Sequence, residues 1–208
     1  MKRALLFNFI FLLFFLSVNL FADSKECKRY DLVLEPHLFL LTSSLLYEEQ
    51  QKKPIYNIGY SFFEWTISHT HQLKDHLRQT LYKSYNSVFN PYDSLFISTI
   101  DKKTLHEKEE YSFSKTHLLS SSQELSDEYL LIKNGLSHPL GKLYINLEKL
   151  NSFEFYSIGK EELIAKGILN GNQYKIELCD FHDYPELPLL LSMFLTTKTS
   201  MFKIARDL

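Results

Sequence analysis

Glycine and proline are scarce, six of each in 208 residues, and there are only two cysteines. With so little glycine, no Gly-rich phosphate-binding loop can be found, and no Gly-x-Ser-x-Gly nucleophile elbow. Two cysteines 152 residues apart in the chain exclude a Cys-x-x-Cys redox or zinc motif. An excess of positive charge is also missing. With Lys2 and Arg3 set aside, 21 basic residues face 25 acidic ones, a net charge of −4. A nucleic-acid binder would show the opposite sign. The cationic run Lys102, Lys103 and Lys108 is matched by Glu107, Glu109 and Glu110, so it reads as a solvated face.

What is abundant is aromatic: 17 Phe and 13 Tyr. Such residues, with the β-branched ones, suit strands better than helices. Most of the chain divides into runs of five to eight such residues separated by turns, the spacing of an all-β barrel or sandwich. The runs read as strands are Tyr30 to Leu41 around Pro36, Leu45 to Tyr47, Ile55 to Tyr60 with a bend or bulge at Gly59, and Phe62 to Thr70. His71 to Tyr85 fits a short amphipathic helix or a pair of strands, and extended structure is preferred. Then follow Ser94 to Ile100, its return from Thr104 to Lys108, a charged break at Glu107 to Glu110, and a new start at Tyr111. Tyr129 to Lys133 turns at Asn134-Gly135 into a hairpin with Leu136. Leu140 to Leu147 and Ser152 to Ser157 complete the series.

The first 22 residues stand apart. Lys2 and Arg3 precede an apolar run, Ala4 to Leu16, and Ser17 to Ala22 closes it, the order of a secretory signal. Two domain assignments follow, a signal peptide over 1–22 and one domain over 23–208. The chain is expected to be exported, to the periplasm or outside the cell; the alternative is a retained N-terminal membrane anchor. In an exported chain the even cysteine count points to a disulfide between Cys27 and Cys179, against two free thiols.

The stretch from Leu163 to Thr197 organises the rest. Asn170-Gly171 is a strong hairpin signal, because a type I′ turn needs positive φ at both central residues. That turn predicts Gly167 opposite Tyr174, Ala165 opposite Ile176 and Lys166 opposite Lys175. Next comes Leu187 to Leu195, apolar except for Pro188 and Ser192, with Asp183 as its N-cap. A helix apolar all round must be buried all round. Its run of about nine residues spans only ~14 Å, too short for a bilayer. The fold predicted is therefore mainly β: an antiparallel closed barrel of about 10–12 strands around a buried hydrophobic C-terminal helix. From Lys198 the chain reads as a mixed tail.

Three segments carry a resemblance: Glu162-Leu-Ile-Ala-Lys-Gly-Ile-Leu, Asn172-Gln-Tyr-Lys-Ile-Glu-Leu and Leu187 to Leu195. Phe96-Ile-Ser-Thr-Ile-Asp-Lys-Lys-Thr-Leu and Gly141-Lys-Leu add to it. Together they resemble the tubby-like superfamily of tubby C-terminal domains, phospholipid scramblases and LURP-one-related proteins. The resemblance implies a barrel threaded by a helix and a lipid or membrane-surface role. The chain departs from the families in its export signal. It has no cluster matching the basic phosphoinositide site and no calcium loop, so no site residue is carried over.

Two clusters could carry chemistry. His69 and His71 would share one face of a strand, and Asp75 or His76 could come round a turn to complete a zinc site. The bland reading is a polar strand end. Asp180, His182 and Asp183 could orient an imidazole as a general base, or simply cap the helix and plug the barrel mouth. The function expected is a non-enzymatic barrel binding phospholipid, a membrane surface or a protein partner, without nucleic acid. The alternative is a metal binder or metal-dependent enzyme using His69, His71, Asp75 and His76.

Overall fold

The computed structural model describes residues 27–36, 42–60, 70–86, 94–116, 127–145, 151–159 and 161–207, with side chains through Ser200. Twelve antiparallel strands run up and down in sequence order and close into a barrel. They are β1 (Cys27–Pro36), β2 (Thr42–Glu48), β3 (Tyr56–Tyr60), β4 (His71–Lys74), β5 (Thr80–Asn86) and β6 (Ser94–Ile100). The second half holds β7 (Glu107–Lys115), β8 (Asp127–Lys133), β9 (Gly141–Ile145), β10 (Ser152–Ser157), β11 (Leu163–Asn170) and β12 (Gln173–Cys179). One helix, α1 (Leu187–Asp207), follows. No helix among the described residues is long and apolar enough to cross a membrane.

Alternation of strand direction sorts the connections to two ends. β1 starts and β12 finishes at one end, where α1 also begins. The turns β2–β3, β4–β5, β6–β7, β8–β9 and β10–β11 share that end, hereafter the entry end. The β11–β12 turn lies at the other.

The barrel surrounds α1. Leu187, Leu190, Leu191, Met193, Phe194 and Leu195 are all buried. Phe194 packs tilted against the Phe113 ring at 4.7 Å and edge to face with the Tyr129 ring at 5.0 Å. The helix runs beyond the apolar stretch. Thr196 to Ser200 are buried too, so the mixed tail predicted from Lys198 is instead the helix continuing. Ser192, Thr196 and Ser200 recur every four residues, and each hydroxyl satisfies itself on the carbonyl four residues back, at 2.7, 2.7 and 3.0 Å. The barrel wall answers this polar stripe with its own: Ser44 meets Thr196 at 2.6 Å, and Ser84 meets Thr197 at 3.1 Å. The helix starts later than predicted. Two successive turns, Phe181 to Tyr184 and Tyr184 to Leu187, precede it, and Glu186 accepts the first helical N–H groups. Asp183 is thus not the N-cap.

The closing hairpin differs from expectation by a two-residue slide. Lys166 faces Glu177, Gly167 faces Ile176 and Leu169 faces Tyr174. The turn is centred on Gly171-Asn172, with φ +63° at Gly171 and no positive φ at Asn172. That is the type II′ pattern, which needs glycine only at the first central position. A slide of two keeps Ala165, Gly167, Tyr174 and Ile176 on their predicted inner face, but a bulge at Ile164 turns that residue inward and leaves Leu163 exposed. The slide also replaces a Lys–Lys pair by a Lys166–Glu177 ion pair at 2.9 Å. Asn172 then holds β1: its side chain donates to the Leu34 carbonyl at 3.2 Å, and its own carbonyl accepts the Leu34 N–H at 2.7 Å. The ring expected over Gly167 comes from β10 instead, where Phe153 is its direct partner.

Three other expectations change. β7 runs straight through the charged segment, with a register shift that leaves Glu110 unmatched, so the predicted break is a β-bulge. The bulge sets Glu109 opposite Ser98 while Tyr111 and Phe113 stay inside. Leu136 does not return as a strand, since β8 and β9 pair only from Leu131 and Gly141 outward. Gly59 pairs regularly with Gln72, without a bulge. The strand predicted from Phe62 lies almost wholly outside the described residues.

Cys27 and Cys179 are directly paired across β1 and β12 and form a disulfide. It closes a separation of 152 residues, worth ~3–5 kcal/mol in the chain-entropy account.

Two outcomes follow. A Cβ at Gly141 would sit 2.2 Å from the Phe155 ring and 2.6 Å from the Tyr156 carbonyl oxygen, whereas one at Gly167 meets only the Phe153 ring. Gly141→Ala is expected to cost about 1–3 kcal/mol and Gly167→Ala less, because a ring can shift and a backbone cannot; urea unfolding midpoints measure both. Burial also pushes tyrosine hydroxyls upward, Tyr85 and Tyr144 to about 12, with Tyr30, Tyr82, Tyr111 and Tyr174 shifted the same way. The unfolded chain therefore loses these protons first. Their stabilisation is complete below about pH 10 and drains away as pH climbs through the folded values. Urea midpoints should fall steeply above pH 10, with tyrosinate absorbance rising at unfolding.

Candidate functional site

The barrel axis is occupied, so concave surface lies on the outer wall and at the mouth. The larger groove, of about 440 Å³, crosses the seam of β11, β12 and β1. Outward positions on three neighbouring strands line it: Arg29 and Asp31, Lys175 and Glu177, and Lys166 and Ile168. Antiparallel register brings Arg29, Glu177 and Lys166 into one row. Arg29 donates from Nε and Nη2 to Glu177 Oε1, both at 3.3 Å, and from Nη1 to Glu49 at 3.4 Å. Lys166 Nζ takes the other Glu177 oxygen at 2.9 Å. The Lys166 bond, with Arg29 behind it, holds the Glu177 carboxyl below its usual range, while bonds from Glu177 and Glu49 raise Arg29. Ile168 stands 57% exposed beside this row. The groove offers fixed charges of both signs and an apolar shoulder.

A second groove, about 340 Å³, lies over β9 and β10. Tyr144 and Tyr156 meet there edge to face at 5.8 Å, and the Tyr156 hydroxyl donates to Glu154 at 2.7 Å. A cleft of about 170 Å³ opens at the entry end between Leu136, Leu140, Lys133 and the start of α1.

The histidine cluster is placed only in part, because His69 lies outside the described residues. His71 points into the barrel from β4 and is fully buried. Its Nε2 lies 3.3 Å from Ser200 Oγ, which also accepts the Thr42 N–H at 3.2 Å. His76 is exposed in the β4–β5 turn. Asp75 between them is spent on the turn: its Oδ1 accepts the N–H groups of Leu77 and Gln79, each at 2.9 Å. Those bonds, Gln79 foremost, hold its carboxyl low. No group of three or more His, Cys, Asp or Glu stands where it could hold a metal among the described residues. In the other cluster, His182 stacks on Phe181 at 6.0 Å near the barrel mouth, and Asp183 lines the cleft there.

Sequence reasoning missed Lys198. It is fully buried, with Nζ 5.4 Å from the Tyr129 ring centre and 5.7 Å from that of Phe194. Aromatic faces attract a cation most where water is excluded. The four-residue recurrence of Ser192, Thr196 and Ser200 was the signal that would have carried the helix past it.

No protein-family model and no curated protein matches the sequence. Among solved structures, the X-ray structure of a protein from Arabidopsis thaliana (AT5G01750) is similar, with a TM-score of 0.51 over 79% of this chain and 88% of that one, at 9% sequence identity. At that identity the likeness is one of fold alone: a distant structural neighbour of a closed β-barrel with a C-terminal helix.

Proposed function

We propose that this chain is an exported, non-enzymatic barrel protein, kin to the tubby-like superfamily, that binds a lipid or membrane surface through its exterior, with a protein partner as the alternative occupant. The observation that carries this reading is α1 itself. A helix of this girth, packed ring against ring with Phe113 and Tyr129 and hydroxyl against hydroxyl with Ser44 and Ser84, takes the volume in which other barrels hold a ligand. The apolar run Ala4 to Leu16 supports a membrane or export route. The distant structural neighbour supports the barrel fold, and the superfamily reading rests on the sequence of the closing hairpin and the helix.

Flotation of the full chain with vesicles of phosphatidylcholine and phosphatidylglycerol tests the lipid part: the protein should rise with the vesicles. Failure to float would remove lipid and leave a protein partner. Elemental analysis of the same preparation is expected to find no stoichiometric metal. One zinc per chain, lost on His71→Ala, would overturn the reading in favour of a metal site built from His69, His71 and His76.

A further inference from the structure

Five large hydrophobic side chains stand exposed among the described residues, and four of them ring the entry end. Leu77 tips the β4–β5 hairpin, Leu105 the β6–β7 hairpin and Leu136 the β8–β9 hairpin. Leu163 opens β11 just past the next turn. Their exposures are 65%, 77%, 53% and 37%. The hairpins are consecutive around the barrel, so neighbouring tips lie about two strand spacings apart, ~10 Å. A single exposed leucine needs no explanation, but a row of them on neighbouring tips does.

The tips are held rather than loose. Asp75 gathers the N–H groups of its own turn, as described. Asp101 does the same next door, where Oδ1 accepts the N–H groups of Lys103 at 2.9 Å and Thr104 at 2.7 Å, and the Thr104 hydroxyl at 2.9 Å. Lys102 Nζ reaches the Asp75 carboxylate at 3.7 Å and joins the first tip to the second. At the third tip, Asn134 donates from Nδ2 to the Glu109 carbonyl at 3.1 Å and from its N–H to the Glu110 carbonyl at 2.8 Å. Leu105 adopts φ +55°, a left-handed conformation that disfavours a leucine. Backbone strain and exposed apolar surface are both tolerated at this one residue.

Charge at this rim is mixed, with Glu161, Asp180 and Asp183 exposed at the same end. Asp75 and Asp101 are turned to backbone N–H groups. Glu107 pairs with Lys83 at 3.6 Å, Glu110 with Lys133 at 3.4 Å, and Glu109 accepts the Tyr85 hydroxyl at 2.7 Å. Arg78, Lys102 and Lys103 stand exposed beside the leucines. The chain also enters here. Cys27 is clamped to Cys179 at this end, and in a chain that retains its N-terminal segment about ten residues, ~35 Å at most when extended, join it to the apolar run that finishes at Leu16.

We infer that this leucine-tipped rim docks on a lipid bilayer, with Leu77, Leu105 and Leu136 seated at the boundary between headgroups and acyl chains and Arg78 and Lys103 among the phosphates. The inference rests on the membrane reading above and adds the surface and the orientation. The barrel axis stands across the membrane plane, and the wall groove at Arg29, Glu177 and Lys166 stays in water.

The test uses the full chain with one added cysteine carrying an environment-sensitive fluorophore, at Leu77→Cys, Leu105→Cys, Leu136→Cys or, on the wall, Ile168→Cys. The native cysteines are bonded to each other, so the label goes to the new thiol. With vesicles of phosphatidylcholine and phosphatidylglycerol, the three tip probes should shift to shorter wavelength and be quenched by lipid-borne spin labels, while the Ile168 probe stays unchanged. The triple variant Leu77→Ser, Leu105→Ser, Leu136→Ser, altered only at exposed positions, should partition at least about tenfold more weakly. A chain that floats while its tip probes report water overturns the rim and leaves the membrane reading standing. A chain that does not float with these vesicles overturns both.

Discussion

Everything in this protein answers to one helix enclosed by sheet on every side. A helix with no solvent face must find a partner for each of its residues. Twelve strands supply them, each with its inward positions. On one side of α1 the partners are rings, with Phe113 and Tyr129 on Phe194. On the other they are hydroxyls, a backbone amide and an imidazole: Ser44, Ser84, the Thr42 N–H and His71 against Thr196, Thr197 and Ser200. Neither half can turn about the axis without setting polar groups against rings, so the two stripes fix the rotation of the helix in its sheath. Closure removes sheet edges, and the seam where first and last strands meet is the one a disulfide holds.

With the axis filled by α1, the grooves described lie on the outer wall and at the mouth. The wall and the entry end then differ in kind. On the wall, charges of both signs are already paired in a row across three strands, and water has free access. At the entry end, stiff hairpins carry leucines into solvent with exposed cations beside them. Histidine is divided between inside and outside in the same way: one residue of β4 locks the polar half of the core, and another five positions on lies exposed in a turn.

Much of this was legible in the residues. Alternation and aromatic density predicted strands, and the apolar run predicted a sheathed helix; both stand. The closing hairpin shows where local reasoning stops. Asn170-Gly171 is a good turn, but Gly171-Asn172 is a better one once β1 lies alongside to take the Asn172 side chain and Glu177 can meet Lys166 and Arg29. Those partners are distant in sequence. The same holds for the charged segment at Glu107 to Glu110, which looks like a break until a neighbouring strand absorbs Glu110 as a bulge. The candidate wall groove was not legible at all, since its three strands come from the two extremes of the chain. The leucine tips were visible only as unremarkable residues in turns.

The sequence by itself determined the class of fold and the face that the closing hairpin turns inward from Ala165 onward. Those depend on periodicity and on burying apolar surface, which are properties of a segment alone. Tertiary structure decided the register of the last hairpin, the length of the helix, the burial of Lys198 and His71, and the gathering of four leucines at one end. Each of these depends on which remote segment lies alongside, and only closure of the barrel settles that.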